Sequence, residues 1–265
     1  MTPATVRIAL ANLPFPSGAA DSVSRAVDAI RDAGATRADL VCFPECYVPG
    51  YRAQGRQVDA IDERFLHDAC VAVAAAAARA NVGVILGTER VVHGQLRIST
   101  LVMNRDGSVA GFQDKVQLDP SEEATWTPGT ERRTFRSGDV TFGISICHEA
   151  WRYPETVRWA ARRGARIVFV PHFHEAEPGS YRPTTFADPA NTFHEKAILC
   201  RAAENTCFVA AVNYASDGSP TTSAVARPDG TLLAWQPYGQ SGLLVVDCDL
   251  AEATGLLAQR YRSIE

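Results

Sequence analysis

A predicted strand that runs directly into a cysteine constrains this sequence most. Residues 140–146 alternate apolar with small or polar side chains, which is the pattern of a half-buried β-strand. The alternation stops at Cys147, and Pro154, a residue type favoured at the first position of a helix, opens a helical segment. A turn of this kind is where ligands bind in an open α/β sheet. Cys147 is therefore a candidate nucleophile, and the alternative is a buried structural cysteine.

A carboxylate and an ammonium follow two other predicted strands. The apolar strand at 39–43 stops at Pro44 and is followed by Glu45, and Lys115 lies just past the strand at 108–112. Taken singly, these residues are most often a solvated glutamate and a surface lysine. Together with Cys147, they place a base, a positive charge and a thiol at the carboxyl ends of strands, which indicates nucleophilic catalysis.

The order of predicted elements favours an α/β fold in a single domain over residues 1–265. Strands alternate with helices, and each half of the chain contains βαβ units and a hairpin. The predicted strands are 6–10, 39–43, 82–87, 96–103, 108–112, 141–146, 166–170, 207–213, 223–226, 232–235 and 243–246. The predicted helices are 21–33, 60–80, 155–163 and 191–204.

Composition limits the classes of partner and compartment. The net charge of −4 argues against a nucleic-acid-binding surface or a polybasic membrane-binding surface. We expect no apolar leader, and no apolar run in the sequence approaches the roughly 18 residues of a membrane span. The seven cysteines are odd in number and contain no Cys-x-x-Cys pair, so reduced thiols in the cytoplasm are expected.

The ordered motifs resemble the carbon–nitrogen hydrolase (nitrilase) superfamily. They are Phe43-Pro44-Glu45, then Lys115 in an aromatic-x-x-Lys-x-x-Leu context, then Ile146-Cys147-x-Glu149 followed by Tyr153-Pro154-Glu155. Segments 6–12, 201–205 and 209–213 extend the resemblance along nearly the whole chain. It implies a four-layer α-β-β-α sandwich and a Glu-Lys-Cys triad that needs no metal or organic cofactor.

The resemblance also implies a role for each residue. Glu45 would be the general base, Lys115 would stabilise the oxyanion together with a backbone N–H near Cys147, and Cys147 would attack the substrate. Glu122, which precedes Gly129 by seven residues, matches a second family glutamate that holds the lysine or moves protons to the leaving amine. Two positions depart from the family pattern, because His148 stands where an aromatic residue is common and Glu149 where Asp is common.

The expected substrate is a small carboxamide. A nitrile or an N-carbamoyl compound is the alternative, and Arg152 could bind the carboxylate of a carbamoyl substrate. A non-catalytic ligand-binding protein with the same fold is the alternative from a different class. We expect the pocket to be formed by residues that could equally be core packing, namely Tyr51, Trp126, His148, Trp151, His172 and Phe173.

Two further expectations concern metal binding and assembly. His172 and His174 share one face of an extended segment, but the sequence places no third ligand, so we predict no metal site. If a Cys-His dyad were used, His172 would be a better partner than the adjacent His148. The helices at 155–163 and 191–204 carry more apolar residues than one inward face needs, which favours a homodimer through them, with the tail from 249 to 265 reaching across.

Overall fold

Two six-stranded sheets form the centre of the computed structural model, which describes residues 5–52 and 55–262. In sheet A the order is β12 (Gly242–Asp249), β1 (Thr5–Asn12), β2 (Leu40–Cys42), β3 (Gly83–Val92), β4 (Gln95–Met103) and β5 (Val109–Asp114). In sheet B it is β11 (Leu232–Trp235), β10 (Ala224–Ala226), β9 (Phe208–Val212), β8 (Ile167–Pro171), β7 (Val140–Ile144) and β6 (Thr134–Ser137). Each half of the chain therefore builds most of one sheet.

Strand directions bring the carboxyl ends of four strands, β1, β2, β3 and β5, to one edge of sheet A. Strands β1, β2 and β3 are parallel, β4 is antiparallel to β3, and β5 is antiparallel to β4. Strand β5 consequently runs in the same direction as β2, so the residues that follow the two strands lie at the same edge. In sheet B, β7, β8 and β9 are parallel in the same manner.

Helices cover the outer face of each sheet. Helices α1 (Ala19–Ala35) and α2 (Glu63–Ala80) pack on sheet A, and α4 (Pro154–Ala161) and α5 (His194–Ala203) pack on sheet B. The side chains of β1 alternate accordingly, because Ile8 and Leu10 belong to the core between the sheets whereas Ala9 and Ala11 belong to the core under α1 and α2. This is the predicted four-layer arrangement.

The structure corrects several predicted boundaries. A short helix, α3 (His148–Arg152), begins immediately after Cys147, whereas the sequence pattern placed the first helix after Pro154. Helix α2 begins at Glu63 rather than at residue 60, because the Asp62 side chain accepts the backbone N–H groups of the first turn and caps the helix. Ile61, within the predicted helix range, precedes this cap and is 46% exposed.

Several elements were predicted too short or missed, among them β3, β6 and α6. Strand β3 continues to Val92 because it pairs with β4 along its whole length. Strand β6 (Thr134–Ser137) is short and partly polar, and α6 (Leu256–Arg260) is a single turn and a half, so neither carries a clear periodic pattern.

Candidate active site

Glu45 is held in a tight turn at the end of β2. The turn lies so close to β3 that a Cβ atom on Gly87 would come within 1.8 Å of the Pro44 carbonyl oxygen, so only glycine fits there. The backbone carbonyl of Glu45 accepts a hydrogen bond from the Tyr214 hydroxyl at 2.8 Å. Cys46, the next residue, has a φ of 47°, a value that is uncommon outside glycine. The Glu45 side chain is fully buried.

Lys115 lies between two carboxylates. Its Nζ donates to Glu45 Oε1 at 2.8 Å and to Glu122 Oε1 at 2.6 Å, and the lysine side chain is fully buried. Glu122 is fixed in turn, because Oε1 also accepts the Tyr51 hydroxyl at 2.7 Å and Oε2 accepts the Asp119 N–H at 2.7 Å. The ammonium therefore has little freedom to move.

Cys147 occupies a strained turn between β7 and α3. Its φ of 53° and ψ of −113° lie outside the regions that L-residues favour, and such strain costs on the order of 1–3 kcal/mol. Its N–H donates to the Pro171 carbonyl at 2.8 Å, and its Sγ donates to the Phe173 carbonyl at 3.9 Å. Cys147 is 7% exposed, so the sulfur lies beneath the surface. Strain of this kind is typical of functional positions.

Burial and the neighbouring charges shift the pKa of each member of this group. Burial raises the pKa of Glu45 to about 7, against the opposing effect of the Lys115 charge. Burial and the Glu45 charge raise the pKa of the Cys147 thiol well above its usual value. Burial alone would lower the pKa of Lys115, but the charges of Glu45, Cys147 and Glu122 outweigh it and raise that pKa. Lys115 thus stays an ammonium, while Glu45 can hold or release a proton near neutral pH.

Glu149 connects the cysteine turn to the lysine loop. Its Oε2 accepts the N–H of Ile146 at 3.0 Å, and its Oε1 accepts the N–H groups of Val116 and Gln117 at 2.8 and 3.0 Å. Oε1 also accepts Arg132 Nη1 at 3.0 Å, and the carboxylate is fully buried. This buried carboxylate therefore fixes the backbone on both sides of the site, a role that the sequence analysis missed.

Three of the predicted pocket residues form one aromatic stack. The Tyr51 ring stacks on Phe173 with centroids 4.6 Å apart and on Trp126 with centroids 5.5 Å apart. The Trp126 indole N–H donates to Glu89 Oε1 at 3.0 Å, and Glu89 also pairs with Arg52. Since the Tyr51 hydroxyl bonds Glu122, this stack forms a wall beside the lysine and its carboxylates.

The other three predicted pocket residues lie around α3. His148 Nδ1 is 3.0 Å from Asp119 Oδ2, and burial lowers the pKa of this histidine. The Trp151 ring packs edge-on against His172 and His194, with centroids 5.0 and 4.4 Å apart. Both ring nitrogens of His172 have contacts, Nδ1 with the Val170 carbonyl at 3.1 Å and Nε2 with the Thr221 hydroxyl at 3.3 Å. Burial lowers the pKa of His172 to about 3, so it is a poor base for Cys147.

Neither a metal cluster nor a membrane-spanning helix is found in residues 5–52 and 55–262. Within these ranges no group of three or more His, Cys, Asp or Glu side chains could hold a metal ion, and His174 instead packs against Trp151 and His194. None of the helices described there is long and apolar enough to cross a membrane.

Sequence reasoning also missed Asn213 and Tyr214, two buried polar residues at the end of β9. Asn213 bonds the backbone of His174, and Tyr214 bonds that of Glu45. The one local signal was that Asn213 and Tyr214 directly follow the apolar strand β9. A polar group that is buried at such a position requires a hydrogen-bond partner.

The comparisons with known proteins agree with this geometry. The family model described as carbon-nitrogen hydrolase matches residues 7–256. An (R)-stereoselective amidase from Pseudomonas sp is 30% identical over 198 residues, which cover 74% of this chain and 66% of the amidase. The omega-amidase NIT2 of Homo sapiens is 25% identical, with 96% of this chain and 92% of that protein covered. The crystal structure of an amidase from Nesterenkonia sp. shares the fold with a TM-score of 0.77 at 24% identity, covering 97% of this chain and 93% of that one. With its two sheets, flanking helices and matched family model, this chain belongs to the carbon–nitrogen hydrolase family.

Proposed function

We propose that this protein hydrolyses a small carboxamide to a carboxylate and ammonia through a thioester on Cys147. The observation that carries the proposal is the state of Glu45. One of its oxygens accepts a hydrogen bond from Lys115, and the other, Oε2, is buried and has no hydrogen-bond partner among the described residues. A buried unpaired oxygen next to a thiol, on a group with a pKa near 7, is suited to take a proton.

Acylation would proceed with Glu45 as the base. The Glu45 carboxylate takes the thiol proton, the Cys147 sulfur bonds to the carbonyl carbon, and the π electrons move to oxygen. The Lys115 ammonium stabilises that oxyanion. When the C=O bond re-forms, the C–N bond breaks, Glu45 returns the proton to nitrogen, and ammonia leaves the thioester.

Deacylation would reuse the same groups. Glu45, again a carboxylate, takes a proton from water, and the oxygen of that water bonds to the thioester carbon. The C–S bond then breaks and the proton returns to sulfur, which releases the carboxylic acid. The net change is the addition of one water and the loss of one ammonia.

The backbone donor to the oxyanion would be the N–H of His148. The N–H of Cys147 is already donated to the Pro171 carbonyl, so it is not free to bind substrate. His148 is the first residue of α3 and its N–H lies at the next position along the turn.

The aromatic wall supports a neutral, small acyl group. Tyr51, Trp126 and Phe173 offer ring faces rather than a second cation. Arg152, the candidate for binding a carbamoyl substrate's carboxylate, lies over the Phe193 ring at 4.3 Å from its centroid. A carboxamide is thus favoured over an N-carbamoyl acid.

Ammonia release over a panel of amides, nitriles and N-carbamoyl compounds tests the proposal, with Cys147→Ala and Glu45→Gln as variants. We expect the wild type to release ammonia from amides, Cys147→Ala to be inactive, and Glu45→Gln to be slow in both thioester formation and hydrolysis. Iodoacetamide should modify Cys147 faster than Cys200, the exposed cysteine of α5. Wild-type turnover by Cys147→Ala would disprove the assigned nucleophile.

We also propose a homodimer and a reducing compartment. On the two helices that the sequence pattern favoured as an interface, Val157 of α4 and Ile198 of α5 are buried in their own layer. A group of exposed apolar side chains lies instead on and after α6, where Leu256, Leu257 and Tyr261 are 54%, 47% and 46% exposed. Light scattering of wild type and Leu257→Asp tests the homodimer, since a monomer of 28.6 kDa for the wild type would contradict it.

All seven cysteines are free, which supports a cytoplasmic location.

A further inference from the structure

The peptide group between Phe173 and His174 lies beside the nucleophile. Its carbonyl oxygen accepts a hydrogen bond from the Cys147 thiol, with 3.9 Å between oxygen and Sγ, and the Phe173 ring stacks on Tyr51 within the aromatic wall. A backbone acceptor is thus directed at the sulfur that we propose to attack the substrate.

Asn213 fixes the direction of that peptide group. The N–H of His174 belongs to the same peptide and donates to Asn213 Oδ1 at 3.0 Å. In a planar trans peptide the N–H and the C=O point to opposite sides. When the N–H is held toward Asn213, the carbonyl is therefore held toward Cys147.

The Asn213 side chain is itself held in one orientation. It is fully buried, and its Nδ2 group lies 2.9 Å from the His174 carbonyl and 3.1 Å from Ser219 Oγ, the Thr221 carbonyl and Thr221 Oγ1. A backbone N–H can only donate and a carbonyl can only accept, so these partners exclude the flipped amide.

We propose that Asn213 is a positioning residue that presents the Phe173 carbonyl to the NH2 group of a primary carboxamide. This inference rests on the proposed function and names the substrate group that is recognised. Once the thiol proton has moved to Glu45, the sulfur no longer donates to the carbonyl, which can then accept an N–H from the amide. The nitrogen keeps N–H donors until it leaves as ammonia, whereas a nitrile nitrogen and an ester oxygen carry none.

The test compares a primary amide with the methyl ester of the same acid in wild type, Asn213→Ala and Asn213→Ser. The ratio of kcat/KM for amide over ester does not depend on the fraction of protein that is folded. We expect that ratio to fall about tenfold in both variants, the effect of one lost hydrogen bond. The matched control is Asn205→Ala, because Asn205 is equally buried but donates to the Arg201 carbonyl at the end of α5. Its ratio should equal that of the wild type.

Two outcomes would overturn the inference. If amide and ester hydrolysis fell by the same factor in the Asn213 variants, or if neither fell, Asn213 would have no role in recognising the amide nitrogen. A failure of the proposed function is distinguishable, because wild-type protein would then cleave neither compound and iodoacetamide would not select Cys147.

Discussion

Tyr214 donates its hydroxyl to the backbone carbonyl of Glu45 at 2.8 Å, across 169 residues of sequence. Tyr214 follows β9 in sheet B, and Glu45 follows β2 in sheet A. The bond thus joins the two sheets at the residue that we propose as the base. Because the neighbouring Cys46 has a positive φ, the Glu45 turn depends on support of this kind.

Replacing Tyr214 with Phe should lower kcat about tenfold and the free energy of unfolding by about 1 kcal/mol, because the Glu45 carbonyl loses its partner. Steady-state kinetics and urea unfolding measure the two effects. Tyr47→Phe is the matched control, since its hydroxyl bonds the Pro14 carbonyl at 3.3 Å instead. An unchanged kcat for Tyr214→Phe would show that the hydroxyl does not position Glu45.

Glu149→Gln should be more damaging. The neutral glutamine would deprive Arg132 of the buried negative charge of Glu149. Its NH2 group would also face backbone N–H groups that now donate to the carboxylate, and two donors cannot form a hydrogen bond. Breaking a buried ion pair costs about 3–5 kcal/mol, so a large fall in the urea midpoint is expected together with a loss of activity. Glu131→Gln serves as the control, since that carboxylate is 74% exposed. Near-equal stability of the two variants would contradict the bridging role.

Lys115→Arg should reduce kcat about a hundredfold or more, although the charge is kept. A planar guanidinium cannot replace a compact ammonium that bonds Glu45 and Glu122 at 2.8 and 2.6 Å. Circular dichroism verifies folding while ammonia release measures rate. An arginine variant with most of the wild-type kcat would rule out the oxyanion role as described.

The rate should rise with pH through a value near 7. Glu45 has to be a carboxylate to take the thiol proton, and burial raises its pKa to about 7. We therefore expect kcat/KM to fall about tenfold per pH unit below that value. A profile measured from pH 5 to 8 checks this. A rate that stayed flat down to pH 5 would exclude Glu45 as a base with this pKa.

His172 should make the folded protein less stable in acid. Burial lowers its pKa to about 3, whereas an unfolded histidine titrates near 6.5. Between these values the unfolded chain binds the extra proton, so the free energy of unfolding falls as pH drops below 6.5, by up to about 1.4 kcal/mol per unit. Glu45 changes the free energy of unfolding in the opposite direction, since its pKa is raised. Its contribution is the same in wild type and in His172→Asn, so it cancels when the two proteins are compared. The difference in urea stability between the two should change steadily from pH 6.5 to 4, and a constant difference would contradict the assignment.

The sequence predicted the strand ends better than the helix starts. Glu45, Lys115 and Cys147 each follow a strand whose apolar pattern is local, so strand direction alone could place Glu45 and Lys115 at one edge of sheet A, whereas the position of Cys147 in sheet B depends on how the two sheets pack. Helix α3 was missed because Pro154 is the stronger local helix signal and because the five residues of α3 are too few to show a helical hydrophobic periodicity.

Long-range polar contacts could not be predicted from local patterns. Tyr214 and Asn213 act on residues 169 and 39 positions away, and Glu149 bonds Val116 and Gln117 across 33 and 32 positions. Such bonds depend on how distant segments of the chain pack together, and the hydrophobic periodicity of a single segment contains no information on that packing.

The division of the site between the two sheets has a consequence for how activity is lost. Glu45, Lys115 and Glu122 belong to the half of the chain that builds most of sheet A, whereas Cys147 and Phe173 belong to the half that builds sheet B. A small slip between the layers would part the sulfur from its proton acceptor while every helix and strand stayed intact. Turnover therefore reports on the alignment of the layers, and inactivation on heating should precede the loss of helical signal.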